Sequence, residues 1–167
     1  MKVVIINGGA GVGKDLFCDL CDNFAHTYVC SSIDYVKSFA RDIGWDGITK
    51  DEKTRKFLSD IKLLCTEYND ASMKMLEHCY SFYIKRDKKS ESILFMMVRE
   101  IPEVIKAKEI FNAKTLFITN SRVQQITSNM ADANVAEYDY DYYINNEGTI
   151  DELTIKARDF VKTILGR

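Results

Sequence analysis

Residues 8–14 have the composition and spacing of a phosphate-binding loop. They fit the pattern G-x-x-x-x-G-K and lie between a short apolar run and a segment of helical spacing. Glycines let backbone N–H groups turn inward around an anion, and the N-terminus of the following helix adds about half a positive charge. Lys14 supplies a mobile cation for the β- and γ-phosphates of ATP. The alternative is a glycine-rich turn with an incidental lysine. The residues predicted to bind the ATP cofactor are Gly8, Gly9, Ala10, Gly11, Val12, Gly13, Lys14 and Asp15.

Asp15 occupies the position where the full motif has Ser or Thr, whose hydroxyl binds Mg²⁺. A carboxylate about 4 Å from a phosphate is repelled by about 4 kcal/mol at an effective dielectric of about 20. Such a carboxylate is tolerable where Mg²⁺ or its water shell lies between the two groups. We therefore predict that Asp15 is a direct or water-mediated Mg²⁺ ligand; the alternative is a plain carboxylate in the first turn of the helix.

Further charged residues follow the predicted strands, where ligands of parallel sheets gather. Asp34 is suited to orienting an acceptor or taking its proton, unless it only caps the next helix. Arg99 suits bidentate phosphate contact, with Glu100 paired to it or reaching the metal; the alternative is a purely structural ion pair. Arg122 precedes the segment where small kinases place a lid, although it is a lone arginine there. The predicted catalytic residues are therefore Lys14, Asp34, Arg99 and Arg122.

Two groups of basic residues allow either a functional or a solvated interpretation. Lys37 and Arg41 share a helical face with Asp34 and could bind an acceptor phosphate. A second group lies in the following helical segment: Lys53, Arg55, Lys56 and Lys62. For both groups we favour a solvated face over phosphate binding.

The elements that must position these residues alternate along the chain. Five short apolar runs predict strands, at residues 2–7, 27–31, 93–98, 115–119 and 140–144. Helical spacing separates them, and a long helical region between the second and third strands forms two helices or one bent helix. This alternation predicts right-handed crossovers and a three-layer α/β/α fold with a five-stranded parallel sheet.

Local patterns predict where several helices begin. Thr49-x-x-Glu52 and Thr149-x-x-Glu152 both have the form of a capping box. Pro102 suits a first helical turn, where its missing N–H costs nothing. In the terminal helix, the residues predicted to face the sheet are Leu153, Ile155, Ala157, Phe160, Val161 and Ile164.

Composition excludes several classes of protein. The chain has 167 residues, 46% of them hydrophobic and 29% charged, which suits one globular domain rather than a disordered chain. A net charge of −2 gives no reason to expect nucleic acid or an anionic membrane as a partner. No apolar run approaches 18 residues, and no segment resembles a signal peptide, so we expect a cytoplasmic protein. The five cysteines are expected to be reduced and buried, and Cys18-x-x-Cys21 lacks the further ligands of a zinc site.

Two large classes of nucleotide-binding protein do not fit. No predicted strand ends in the Asp typical of motor and switch ATPases, because the third ends before Arg99 and the fourth before Asn120. The guanine-binding pattern N-K-x-D is also absent. A small kinase therefore fits better than a GTPase or an ATP-driven machine.

The chain resembles phage-type deoxynucleoside monophosphate kinases. The resemblance rests on the G-K-D ending of residues 7–15, and the further blocks that carry it are residues 32–37, 44–47, 51–53, 57–62, 99–100, 138–146 and 148–149. It implies a P-loop kinase fold of the nucleotide-kinase type, ATP as the phosphoryl donor, Mg²⁺ as cofactor and a nucleoside monophosphate as acceptor. Within one domain of residues 1–167, it implies a helical insertion at 44–90 on the acceptor side and a short lid-like segment at 120–138. The lid-like segment contains a single arginine, Arg122, and the chain is shorter than these kinases. The lid and the acceptor region are therefore expected to be abbreviated.

The function expected from the sequence is ATP-dependent phosphoryl transfer to a (deoxy)nucleoside monophosphate. One alternative keeps the donor site but uses another small metabolite as acceptor, since one lineage of phosphomevalonate kinases also has G-K-D. Another is a regulatory module that binds ATP with little catalysis. Asn145 and Asn146 lie where such kinases often hold adenine, although a turn is the simpler interpretation. The sequence is also compatible with a second copy of the chain as partner, in a homodimer.

Overall fold

A computed structural model describes residues 1–49, 51–87, 91–123 and 135–167. It confirms the predicted architecture, a five-stranded parallel sheet with helices on both faces. The strands lie in the order β2-β3-β1-β4-β5, so that the first strand is central. Their bounds are β1 Lys2–Asn7, β2 His26–Ser31, β3 Ser92–Met97, β4 Lys114–Thr119 and β5 Tyr142–Asn145.

The helices form two layers because alternate side chains of the central strand point to opposite faces. The helices are α1 Lys14–Asp22, α2 Asp34–Asp42, α3 Glu52–Asn69, α4 Ala71–Arg86, α5 Ile101–Ile110 and α6 Ile150–Leu165. Val4 and Ile6 of β1 pack in one core with α1 and α6. Val3 and Ile5 pack in the other core with α4 and α5. This burial on both faces explains the continuous apolar run at the start of the chain.

The register brings the carboxyl ends of four strands to one edge of the sheet. Ile6 pairs with Met97, and Asn7 pairs with Phe117. Thr119 pairs with Asn145 on the other side. The segments that follow these strands therefore meet above β1, as parallel topology requires.

Two of the predicted helix starts have different outcomes. The Thr149 box is confirmed, since Thr149 and Glu152 exchange side-chain and backbone hydrogen bonds at the start of α6. The Thr49 box is wrong: Asp51 caps α3 by accepting from the Thr54 N–H at 2.7 Å. The Thr49 hydroxyl instead donates to Asp46 within the preceding turn. Asp binds the first free N–H groups at least as well as Thr, and it lies adjacent to the helix.

The long helical region is two helices, separated at Asp70, which has the left-handed φ of 58°. The terminal helix departs from expectation at one position, because Ile155 is 50% exposed. Four cysteines are buried, whereas Cys65 of α3 is partly exposed. None of the helices in the described ranges is long and apolar enough to span a bilayer.

Candidate active site

The predicted phosphate loop lies between β1 and α1, above the central strand. Asn7, the last residue of β1, is completely buried. Its side-chain oxygen accepts a hydrogen bond from the Gly8 N–H at 2.7 Å, and its amide donates to the Arg99 carbonyl at 2.9 Å. Asn7 thus starts the loop and fastens it to the end of β3. The role of Asn7 was not predicted from the sequence, where its signal is a polar residue at the end of a buried apolar strand.

Two of the glycines are required by close contacts as well as by backbone conformation. A Cβ atom on Gly8, which has φ +141°, would lie 2.4 Å from the Ile118 carbonyl oxygen. A Cβ atom on Gly13, with φ +96°, would lie 2.3 Å from the side-chain nitrogen of Asn146. Neither position accepts a larger residue without moving the backbone or the neighbouring loop.

The Lys14 side chain folds back over this loop. Its ammonium donates to the Gly8 carbonyl at 2.8 Å and to the Gly9 carbonyl at 2.7 Å. The cation therefore lies against the loop whose N–H groups are predicted to bind phosphate. Phosphate oxygens can replace these carbonyl acceptors with little movement of the side chain, because an ammonium is a compact point charge with three donors.

The loop after β5 holds the phosphate loop from the opposite side. The Asn146 side chain donates to the Val12 carbonyl at 2.9 Å, and its backbone N–H donates to the Thr119 carbonyl at 2.8 Å. Next to it, the Glu147 carboxylate accepts from the Ser121 N–H at 3.1 Å. Asn146 is therefore more than the plain turn residue favoured from the sequence, because it joins the loop after the last strand to the predicted phosphate loop.

Asp15 lies exposed in the first turn of α1, beside Lys14. In the described residues its carboxylate forms no hydrogen bond or ion pair, so its oxygens are available to a cation or its water shell. The same residues contain no cluster of three or more metal-ligating side chains. A single carboxylate beside a phosphate-binding loop fits Mg²⁺, which binds nucleotide phosphates and waters together with one or two carboxylates.

Asp34 begins α2 at the end of β2. One of its oxygens accepts from the Ser31 N–H at 2.8 Å, and the other accepts from the Lys37 ammonium at 3.1 Å. Arg41, one turn later, lies with its guanidinium 5.5 Å from the centre of the Trp45 ring. Asp34 therefore closes the turn after β2 and pairs with Lys37. It does not cap α2, because that helix has no side-chain cap and the N–H that Asp34 binds belongs to Ser31.

Lys62 forms an ion pair that the sequence did not indicate. Its ammonium contacts Glu100 and lies 3.1 Å from Glu103, and its side chain is only 13% exposed. The interpretation of Lys62 as part of a solvated face is therefore wrong. Lys56 of the same group fits that interpretation, because it pairs with Asp60 on the surface at 2.7 Å. Helical spacing places Lys62 on the face of α3 opposite to Lys53, but only the tertiary structure shows what that face meets.

The pair of glutamates shares one cation, so the two carboxylates behave differently. Burial alone would raise the pKa of Glu100, but the Lys62 ammonium and its hydrogen bond bring that pKa below its ordinary value. Burial raises the pKa of Glu103, and Lys62 only partly offsets this rise. Glu100 follows Arg99 at the end of β3, so this pair links α3 to the site edge.

Arg99 and Arg122 lie at the ends of β3 and β4. The Arg99 carbonyl is the acceptor for Asn7, which places this residue directly beside the phosphate loop. The Arg122 N–H donates to the Asn120 side chain at 3.0 Å. Hydrogen bonds with Ser121 and Asn145 lower the pKa of the Glu147 carboxyl, and the nearby Arg122 charge lowers it further. Most of the predicted lid segment, residues 124–134, lies outside the described residues.

The fold is similar to that of several solved kinases. A shikimate kinase from Aquifex aeolicus matches with a TM-score of 0.53 over 99% of both chains, at 10% sequence identity. A dephospho-CoA kinase from Campylobacter jejuni matches with a TM-score of 0.52 over 99% of this chain and 98% of that chain, at 13% identity. A shikimate kinase from Bacteroides thetaiotaomicron gives 0.50 over 99% of both chains, at 12% identity. No protein-family model matches the sequence, and no curated protein matches it significantly.

Proposed function

We propose that the protein is a kinase that transfers the γ-phosphoryl group of Mg·ATP to a small acceptor. The observation that carries this proposal is the loop at the end of the central strand, with the Lys14 ammonium folded against the Gly8 and Gly9 carbonyls. A glycine loop, a helix N-terminus and a lysine in this arrangement bind the phosphates of a nucleotide. The likeness in fold to solved kinases supports the same conclusion.

In this proposal the residues around the loop divide the work. The loop N–H groups and Lys14 hold the β- and γ-phosphates, and Asn146 keeps the loop in place. Asp15 would bind Mg²⁺ or its water shell. When bound, Mg²⁺ would neutralise part of the phosphate charge. Arg99 and Arg122 neutralise charge on the moving group, and Asp34 orients the acceptor.

We infer that the acceptor is a (deoxy)nucleoside monophosphate and that residues 44–90 form its binding side. The resemblance of the sequence to deoxynucleoside monophosphate kinases supports this acceptor. The position of α3 supports the binding side, because Lys62 of α3 contacts Glu100 directly after β3. Residues 120–138 would supply the short lid of the same single domain.

A different small metabolite is the second candidate for the acceptor. The solved structures of similar fold are named for shikimate and dephospho-CoA, which are different kinds of acceptor on one kind of fold. The described cations nearest to the predicted acceptor site also favour this alternative, because Lys37 pairs with Asp34 and Lys62 pairs with two glutamates. Neither is preformed to receive an acceptor phosphate.

A coupled ADP-release assay with Mg·ATP tests the proposal against a panel of ribo- and deoxyribonucleoside monophosphates, shikimate and dephospho-CoA. We expect turnover with one or a few monophosphates, and we expect Lys14→Ala to lower kcat by about 10²–10³-fold, as removal of a charge-stabilising group does. Lys162→Ala, an exposed lysine in the last turn of α6 and outside residues 44–90, is the matched control and should leave turnover unchanged.

The outcomes separate the candidates. Turnover of a metabolite alone would replace the nucleotide acceptor but keep the kinase. ATP binding by calorimetry without turnover of any acceptor would favour a nucleotide-binding module. Unchanged turnover in Lys14→Ala would contradict the proposed donor site itself.

A further inference from the structure

Helix α3 has an unusual surface for a helix of its length. None of its 18 residues is buried. Phe57, Leu64 and Tyr68 are 37, 66 and 86% exposed. At about 100° per residue these three side chains fall within an arc of about 40°, so they form one continuous apolar stripe. We call Phe57, Leu64 and Tyr68 the outer stripe of α3; the opposite face of the helix carries Lys62.

A row of charges runs along one flank of the outer stripe. Lys53, Asp60 and Glu67 follow one another at intervals of seven residues, so they share one line along the helix. The cation is near the N-terminal end of the row and Glu67 is near the C-terminal end, whereas Asp60 already pairs with Lys56 at 2.7 Å. The row therefore has opposite charge at its two ends.

This arrangement is self-complementary in only one orientation. If two copies of α3 packed in parallel about a two-fold axis along the helices, the row would face the opposite flank of the other helix, where Thr54, Ile61 and Cys65 carry no charge. If they packed antiparallel about a two-fold axis, Lys53 would lie opposite Glu67 of the partner subunit, and Phe57 would lie against Leu64 of the partner subunit. A two-fold axis makes each of these contacts twice.

We propose that the outer stripe of α3 is a homodimer interface in which the two helices pack antiparallel. The segment leading into α3 adds two more largely exposed apolar residues, Ile43 and Ile48. Stable protein interfaces bury roughly 1,200–2,000 Å², and a single pair of helices buries less than this. We therefore expect a weak dimer, with a dissociation constant on the order of micromolar. Dimerisation covers the outer face of the helix whose inner face carries Lys62, and it thereby holds α3 against the end of β3.

Sedimentation velocity over roughly 1–200 µM protein, without any nucleotide, tests the interface independently of catalysis. We expect a concentration-dependent dimer. Leu64→Glu places a charge at the centre of the stripe in both subunits and should weaken the dimer by about 100-fold or more. Ile155→Glu is the matched control, because Ile155 is a similarly exposed aliphatic residue on α6, and this variant should dimerise like the wild type.

A charge-reversal cycle tests the orientation. Lys53→Glu and Glu67→Lys each place like charges at both symmetric contacts and should weaken the dimer about tenfold, whereas the double variant should return to within about threefold of the wild type. These are exposed positions, so the cycle remains informative if Leu64→Glu fails to fold. A monomer at all concentrations would overturn the proposal and leave the stripe to another partner. A dimer that survives Leu64→Glu would place the interface elsewhere, and a double variant weaker than both singles would exclude the antiparallel register.

Discussion

Two regions of the molecule are built in different ways. One is the proposed donor side, which is the phosphate loop of residues 8–14 and the residues that hold it, and the other is helix α3 on the predicted acceptor side. The phosphate loop is held by backbone groups and short amides, with Asn7 fully buried and Asn146 bonded to the Val12 carbonyl. Helix α3 has no buried residue, and its described link to the end of β3 is the Lys62 ion pair. Backbone geometry leaves the donor side little freedom, whereas long side chains hold the other region.

The two regions therefore tolerate change to different degrees. A loop whose glycines touch neighbouring carbonyls and amides fails when one atom is added. A helix held by lysine and glutamate side chains can shift by changes of rotamer at small cost, because these long chains have many accessible conformations. For the proposed kinase, a fixed donor loop beside an adjustable helix would suit the binding of one donor and the enclosure of a second substrate.

A pair of glycine substitutions is the most severe way to test this contrast. Gly8 and Gly44 both have a left-handed φ, +141° and +105°, but a Cβ on Gly44 would meet no atom within 4 Å. We expect Gly8→Ala to lower the unfolding free energy by about 3 kcal/mol or more and to abolish ATP binding, because it adds a backbone clash to the conformational strain. Gly44→Ala, the matched control, should cost about 1 kcal/mol. Urea unfolding and calorimetry measure both, and equal effects of the two substitutions would remove the contrast.

Removing Lys62 tests the ionic link on the other side. In Lys62→Met two half-buried carboxylates lose their shared cation, and both folded-state pKa values should then lie above the ordinary value of 4.5. A raised carboxyl pKa means that the folded state is increasingly destabilised as pH rises above the unfolded value. After allowance for partial exposure, we expect a loss of about 2 kcal/mol at pH 7.

The loss in Lys62→Met should become much smaller near pH 4, where both glutamates are protonated. Lys56→Met, which breaks the surface pair with Asp60, should cost at most about 0.5 kcal/mol at either pH. Thermal unfolding of both variants at several pH values gives the comparison, and a loss in Lys62→Met that is independent of pH would show that packing, and not charge, dominates at Lys62.

Another ion pair lies at the amino ends of β4 and β5, at the opposite edge of the sheet from the phosphate loop. Asp141 accepts from the N–H and hydroxyl of Thr115, both at 2.8 Å, and pairs with Lys108 at 2.9 Å. Burial alone would raise its pKa, but hydrogen bonds from Lys108 and Thr115 lower it to about 2. Asp141→Asn should therefore cost about 1–2 kcal/mol above pH 5, and this difference should vanish as pH falls from about 4 to about 2.

Asp42→Asn, at the exposed end of α2, is the control for Asp141→Asn and should leave stability unchanged. Chemical unfolding across this acidic range measures both variants. A constant difference between Asp141→Asn and wild type down to pH 2 would mean that the carboxylate charge contributes nothing at this position.

The smallest expected effect concerns the hydrogen bond from the Asn146 side chain to the Val12 carbonyl, which we call the clamp on the phosphate loop. Asn146→Ala removes one neutral hydrogen bond to the Val12 carbonyl, and we expect the dissociation constant of ATP to rise about fivefold with little change in melting temperature. Asn145→Ala, one residue earlier, should leave ATP affinity nearly unchanged. The Asn145 side chain accepts from the Glu147 N–H within its own turn, and Lys156 binds the Asn145 backbone carbonyl, which alanine keeps. Isothermal calorimetry with ATP distinguishes the two, and equal affinities in both variants would show that the clamp does not position the loop.

The strand, loop and helix around the phosphate loop were predictable from the sequence because they are consecutive. Residues 8–14 form a local motif, and the continuous apolar run before them is sufficient to predict a strand buried on both faces. What it could not show were partners brought from far along the chain, such as Asn146 at Val12 or Lys62 at Glu100. At the start of α3 the local rule was ambiguous, because Thr49 and Asp51 both suit a cap and only the turn around Asp46 decides between them.

The central position of β1 also has a consequence for how the chain folds. Asn7 bonds a residue 92 positions later, and Val12 bonds one 134 positions later. During synthesis the first strand therefore emerges long before its neighbours exist, and its apolar residues must wait for β3 and β4. Such distant pairing slows folding and exposes an unpaired strand edge in the interval. Nucleotide affinity in a refolding experiment should thus appear late, once the last strand has closed on the first loop.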